Sequence, residues 1–112
     1  MTIQEQFEQL ENTVRSYNPA ADFAQIRAAF EFAERSHAGQ KRKSGEPYII
    51  HPLAVAQIVA EELKLDSESI EAALLHDVIE DTPATHEEVS RLFSPTIADL
   101  VEGVSKLTRI QY

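Results

Sequence analysis

His76, Asp77, Glu80 and Asp81 stand within six consecutive positions and put one imidazole and three carboxylates close together. On a helix turning about 100° per residue, Glu80 falls ~40° from His76, Asp77 ~100° and Asp81 ~140°, so all four share one sector. Leu74, Leu75, Val78 and Ile79 fill the opposite side and anchor the helix in a core, while Ala73 leaves space beside the ionic groups. Three carboxylates on one sector repel unless a cation sits among them. Imidazole mixed with carboxylate suits Mn2+, Fe2+ or Zn2+. The competing reading is a solvated acidic stripe beside a core histidine; the flanking apolar pairs favour a cleft over open water. His51, after Ile49-Ile50 and before Pro52, offers a second imidazole, although a histidine before proline is commonly just a helix-start residue. His37, near Gly39, and His86, inside Thr85-His86-Glu87-Glu88, read as structural or solvent-facing.

Five or six helices and no strand must position these groups. Ile3, Phe7, Leu10 and Val14 make the narrow stripe of a first helix over residues ~2–16. Asn18-Pro19 reads as an N-cap and first helical residue. The helix they open runs to about Ala38, buries Phe23, Ile26, Ala29, Phe30 and Ala33, and stops at Gly39. A polar loop, Gln40 to Tyr48, leads to a third helix over ~52–64 started by Pro52, with Val55, Ile58, Val59 and Leu63 as its core face. Asp66 caps a fourth helix, with Ser69 at N3, that continues through Ile70 to about Glu80. Thr85 to Glu88 is a capping box opening a fifth. Ser94-Pro95 caps a sixth that runs to about Gly103 and restarts between Val104 and Ile110. Short loops between such helices make an all-α bundle.

The 112 residues suffice for one domain at most. The chain has no cysteine, which excludes disulfides and thiolate metal sites. No apolar run approaches the roughly 18 residues that span a bilayer, and Met1 to Gln6 lacks the basic start of a signal peptide. A cytoplasmic location with no membrane partner is the expectation. The formal net charge of −9 argues against direct nucleic-acid binding. Lys41-Arg42-Lys43 is the one basic concentration in this acidic chain, which has ten Lys and Arg in all. Alone it would be a solvated loop; beside His51 it suits a phosphorylated ligand.

His51, followed 25 residues later by His76-Asp77, resembles the opening of the H…HD…D signature of the HD phosphohydrolase superfamily. The longer string from His37-Ala38-Gly39-Gln40 through Lys41-Arg42-Lys43-Ser44-Gly45-Glu46-Pro47-Tyr48 to His51-Pro52 is more specific. Together with Ala72-Ala73-Leu74-Leu75-His76-Asp77-Val78-Ile79-Glu80-Asp81-Thr82, it resembles the N-terminal hydrolase domain of the RelA/SpoT-type alarmone enzymes. Val101-Glu102-Gly103-Val104-Ser105-Lys106-Leu107 is similar to a segment of the long members, which commonly have Thr where Ser105 stands. Residues 20–112 carry the resemblance, with residues 1–19 as an N-terminal helix.

The resemblance implies that His51, His76 and Asp77 are ligands of one Mn2+ ion and that Glu80 and Asp81 are the catalytic acidic pair. It implies that Arg42 packs on a guanine base, with Lys43 and Ser44 in the same nucleotide-contacting loop. The implied reaction removes the 3′-pyrophosphate of guanosine tetra- or pentaphosphate, in a protein that is also a GTP pyrophosphokinase of the stringent response. Any contact with the ribosome would need further domains. The family's fourth ligand, an Asp, lies beyond Tyr112; Asp99 stands in surroundings like a different, helical segment. Thr108-Arg109-Ile110-Gln111-Tyr112 reads as a cut inside a larger structure, leaving the HD bundle incomplete at its C-terminus, with weak metal binding and exposed apolar surface that favours self-association. An HD phosphohydrolase for another nucleotide and a non-catalytic regulatory or dimerising helical module are the competing functions.

Overall fold

A computed structural model describes residues 2–110, and Met1, Gln111 and Tyr112 lie outside it. Thr2 opens the first helix, α1 (Ile3–Tyr17), with a reciprocal box: its hydroxyl accepts from the Glu5 amide at 3.1 Å, and its amide donates to Glu5 Oε1 at 2.8 Å. Phe7, Leu10 and Val14 are buried, as the stripe requires.

α2 (Phe23–Ser36) starts four residues later than Asn18-Pro19 predicts. Asn18 is already committed: its amide closes α1 on the Val14 carbonyl (2.8 Å), and its own carbonyl accepts from Ala21 (3.1 Å) around a turn with Pro19 at its second position. Asp22 caps instead, accepting from the Gln25 amide at 3.0 Å, while its amide donates to Ser67 Oγ. Ile26, Ala29, Phe30, Phe32 and Ala33 face inward, and Phe30 stacks on Phe7 at 4.3 Å.

α3 (Ile50–Ile58) begins before Pro52, not at it, and ends in a π-helical turn, Val59–Leu63, stopped by Lys64 in the left-handed region. Its core face is also rotated from the predicted one. Pro52, Leu53, Ala56 and Ala60 are buried, Val55 and Val59 are partly so, and Ile58 and Leu63 are about 60% exposed. This segment is apolar on nearly every side, so periodicity carries no phase. The small Ala56 and Ala60 side chains fit where neighbouring helices come close.

α4 (Ser67–Leu75), capped by Asp66 as expected, packs against α2, α3 and the last helix and is buried from Ile70 to Leu75. It stops at Leu75 rather than near Glu80; after a turn at His76-Asp77 the chain resumes as the short α5 (Val78–Asp81). Thr85 caps α6 (His86–Leu92), accepting from the Glu88 amide, and Ser94 accepts from the Ile97 amide at the start of α7. α7 (Pro95–Ile110) is one continuous helix with no restart. The described residues form an all-α bundle whose only β feature is an isolated Lys41–Pro47 bridge. No helix among them is long and apolar enough to cross a membrane.

Glu71 departs from the apolar rule for this core. It is 1% exposed on α4, and its Oε1 has no hydrogen-bond partner among the described residues. Burial, reinforced by the charges of Asp22, Glu68 and Asp66, raises its pKa from 4.5 to about 8. With the folded value above the unfolded one, its neutral-carboxyl stability is complete below pH 4.5 and is lost as pH rises to about 8. At about 1.4 kcal/mol per pKa unit, keeping this carboxyl protonated in the fold while the unfolded chain would ionise it costs on the order of 3 kcal/mol at pH 7. Glu71→Met keeps the volume and removes the titration. Urea unfolding is expected to show the variant more stable by that order at pH 7, the gap shrinking toward pH 4.5; a gap constant across pH 4.5 to 8 would refute the burial effect.

Candidate metal centre and nucleotide cleft

Three elements converge on one point. His51 lies in the first turn of α3, where Pro52 forfeits no helical hydrogen bond. His76 ends α4 and Asp77 precedes α5. His76 Nε2 lies 3.1 Å from Asp77 Oδ2, and His51 Nε2 lies 3.4 Å from the same oxygen. The two rings stand 5.3 Å apart at 63°. Donor atoms sharing an ion with ~2.1 Å bonds are about 3.0–3.4 Å apart, so the three atoms fit one coordination sphere. All three lie within 4.8 Å of one another.

The orientation of His76 is fixed from behind. Its Nδ1 lies 2.7 Å from the Ala73 carbonyl, which can only accept. Nδ1 therefore carries the proton and Nε2 presents its lone pair to the centre, the usual outer-shell arrangement for a metal-binding imidazole. The turn at His76 makes this work: the Ala73 carbonyl takes the ring and, at 3.5 Å, the His76 amide. Because α4 ends at Leu75, His76 and Asp77 lie in a turn and Glu80 and Asp81 on the separate α5, so the four groups do not share one sector of a single helix.

Asp77 is held as a carboxylate. Burial would raise its pKa, but the His76 hydrogen bond and charge, the Tyr48 hydroxyl and His51 outweigh that and lower it. For His76, burial acts to lower the pKa; the Asp77 hydrogen bond, the Ala73 carbonyl and the charges of Asp77 and Asp81 prevail and raise it. His51 shifts down because burial, with help from His76 and Arg42, exceeds the pull of Asp77.

Tyr48 is the residue that sequence reasoning missed. Its hydroxyl donates to Asp77 Oδ2 at 2.8 Å, with Asp81 Oδ2 at 3.2 Å, so one proton serves two carboxylates. Burial and those two acids push its pKa far up, which keeps it a donor. Its ring stacks on His37 at 4.6 Å and meets His51 edge-on at 5.9 Å. His37 is buried rather than solvent-facing and bonds Gln40 Oε1 through Nδ1 at 2.9 Å. Gln40 Nε2 in turn donates to the Asp81 carbonyl at 2.6 Å. An aromatic flanked by histidines was visible in the string His37 to His51, but nothing local says what its hydroxyl meets.

Asp81 and Glu80 sit exposed on α5 at the edge of this centre. On the other side of Tyr48 opens a cleft of about 690 Å³ lined by Lys41, Arg42, Lys43, Ser44, Glu46 and Tyr48. The loop is shaped by Gly45 in the left-handed region (φ 90°), by the Gly45 amide donating to the Arg42 carbonyl, and by the Arg42 amide donating to the Glu46 carbonyl. The basic run and the ligand set thus share Tyr48 as a common wall.

This His–His–Asp arrangement sits in an all-α bundle. The HD domain family matches residues 29–112, and the chain belongs to that family. It is 52% identical over 106 residues to the bifunctional (p)ppGpp synthase/hydrolase SpoT of Escherichia coli (strain K12), covering 95% of this chain and 15% of that protein. It is 53% identical over 97 residues to the GTP pyrophosphokinase of Myxococcus xanthus, covering 87% of this chain and 13% of that one. A solved structure of a metazoan ortholog of SpoT, described as hydrolyzing ppGpp, matches with a TM-score of 0.67 and 36% identity over 70% of this chain and 46% of its own. The RelA/SpoT resemblance of the His51 and His76 strings is borne out. The chain spans about 15% of the length of the curated relatives it matches.

Two outcomes test the centre without reference to substrate. Tyr48→Phe leaves the ring packing and removes the proton held on Asp77, so Mn2+ affinity measured by calorimetry is expected to fall about tenfold with little change in melting temperature. Because a proton on His76 competes with the ion and its pKa is raised, affinity is expected to fall several-fold between pH 8 and pH 6. Equal affinity at the two values would contradict the assignment of His76 as a ligand.

Proposed function

We propose that this chain is the N-terminal part of an HD hydrolase domain that removes the 3′-pyrophosphate of guanosine tetra- or pentaphosphate. We place it at the start of a longer cytoplasmic protein that also synthesises the alarmone. The observation that carries the reading is the convergence of His51, His76 and Asp77, with the His76 tautomer set by Ala73, beside a basic cleft.

In this reading His51, His76 and Asp77 hold one divalent ion, Mn2+ in the resembling enzymes, with a fourth ligand from beyond Tyr112. When bound, such an ion supplies Lewis acidity toward a phosphoryl group and its attacking water. Asp81, steadied by Tyr48 and Gln40, and Glu80 on the same short helix accept the proton of that water and orient it. Arg42 stacks its guanidinium on the guanine, while Lys43 and Ser44 contact the phosphorylated ribose. The tract Lys41-Arg42-Lys43 offsets the repulsion that a chain of net charge −9 would otherwise offer a polyphosphate.

The test is product analysis of the full-length protein with guanosine tetraphosphate and Mn2+. GDP and pyrophosphate are expected, and His76→Ala is expected to lower the rate at least a hundredfold. Release of inorganic phosphate or a nucleoside would favour an HD enzyme for another nucleotide. No turnover by the wild type with Mn2+ would favour a regulatory module.

A further inference from the structure

His86, Asp99 and Glu102 form a second cluster that shares no residue with the His51–His76–Asp77 centre. His86 is the first residue of α6, set by the Thr85 cap, and Asp99 and Glu102 stand three residues apart on α7, one above the other on a helix face. His86 Nε2 lies 3.0 Å from Asp99 Oδ1 and 3.7 Å from Glu102 Oε2, and all three donor atoms fall within 4.8 Å of one another. The backbones behind them are held, since Val89 on α6 and Ala98 and Val101 on α7 are fully buried.

We propose that His86, Asp99 and Glu102 form a second divalent-metal site, of the zinc class, that ties α6 to α7. A simple ion pair explains the cluster less well. One ring nitrogen donates a single hydrogen bond, and at 3.0 Å Asp99 takes it; Glu102 at 3.7 Å is then left beside another carboxylate with no bond of its own to that nitrogen. A divalent cation removes that repulsion and accepts all three donors. Ligands on a zinc ion with ~2.0–2.1 Å bonds stand about 3.0–3.4 Å apart, a spacing that 3.0 and 3.7 Å bracket and that small rotations of the exposed carboxylates would reach. One imidazole and two carboxylates with a side open to water is a borderline-hard donor set suited to Zn2+. The three side chains are partly or largely exposed, so an ion can enter without unfolding. Exposed ion pairs add little to stability, whereas an ion bridging two helices stabilises the folded state increasingly as its concentration exceeds its dissociation constant. Its structural consequence is a clamp on α7, the helix that continues to Ile110.

The experiment uses chelator-stripped protein and Zn2+ alone. Because the HD centre also takes divalent ions, the titration is run in the His51→Ala background as well as in the wild type. Calorimetry of His51→Ala is expected to show one zinc per chain at micromolar concentration, together with a rise in melting temperature. Adding His86→Gln, which keeps a hydrogen bond to Asp99 but loses the imidazole, is expected to weaken that binding at least tenfold and abolish the rise. His86→Cys, restoring a zinc ligand, is expected to recover both. Should His51→Ala fail to fold, the wild type is expected to bind two ions and the His86→Gln variant one. Unchanged zinc binding in His86→Gln, or binding only at millimolar zinc, would overturn the proposal. This outcome is independent of hydrolysis at the first centre.

Discussion

The Ala73 carbonyl is where the backbone and the chemistry of this protein meet. In an unbroken helix it would accept from the amide four residues on, that of Asp77. Here α4 ends at Leu75, and the carbonyl accepts from the ring of His76 instead. That exchange orients an imidazole with its lone pair outward and sets Asp77 at the entrance of a new helix. The helix can afford the break because α4 is buried on all sides from Ile70 to Leu75, so packing rather than continued hydrogen bonding holds it. A polar pair leaving an apolar rod at its end brings two largely buried polar groups to the rim of the core, where each finds a hydrogen-bond partner.

A second layer makes the centre rigid. Asp77 collects His76, His51 and the Tyr48 hydroxyl, and Tyr48 also reaches Asp81. His37 and Gln40 then tie the loop after α2 to the carbonyl end of α5. A loop of this polarity would ordinarily be mobile. The Gly45 turn, the Lys41–Pro47 bridge and these side-chain bonds give it one path, and that path carries the basic run past His51 and Asp77. Tyr48 is therefore common to the basic cleft and to the His–His–Asp cluster.

The acidic character of the chain works both for and against the fold. Around His76 it supplies the carboxylates a cation needs. At Glu71 it places a carboxyl in the core whose Oε1 has no hydrogen-bond partner among the described residues, and burial there is a cost to stability at neutral pH. The two carboxylates facing His86 belong to the same pattern on the surface.

Much of this was legible in the residues. Caps at Asp66, Thr85 and Ser94, the stripes of α1 and α2, and the strings around His51 and His76 are short-range signals, set by hydrogen bonds and contacts within a few residues of each other. They determined the all-α class, the approximate helices, the family and the residues His51, His76 and Asp77 that the fold brings together. Asn18 misled because two competing caps lay four residues apart, and the turn to Ser67 chose between them. The face of α3 could not be read, since an apolar segment acquires a phase only when Ala56 and Ala60 meet their neighbours. Tyr48, Gln40 and the break at His76 were decided by tertiary structure alone. Each depends on a partner 29 to 41 residues away or on the burial of a whole helix, and no local pattern encodes the direction in which a side chain will find it.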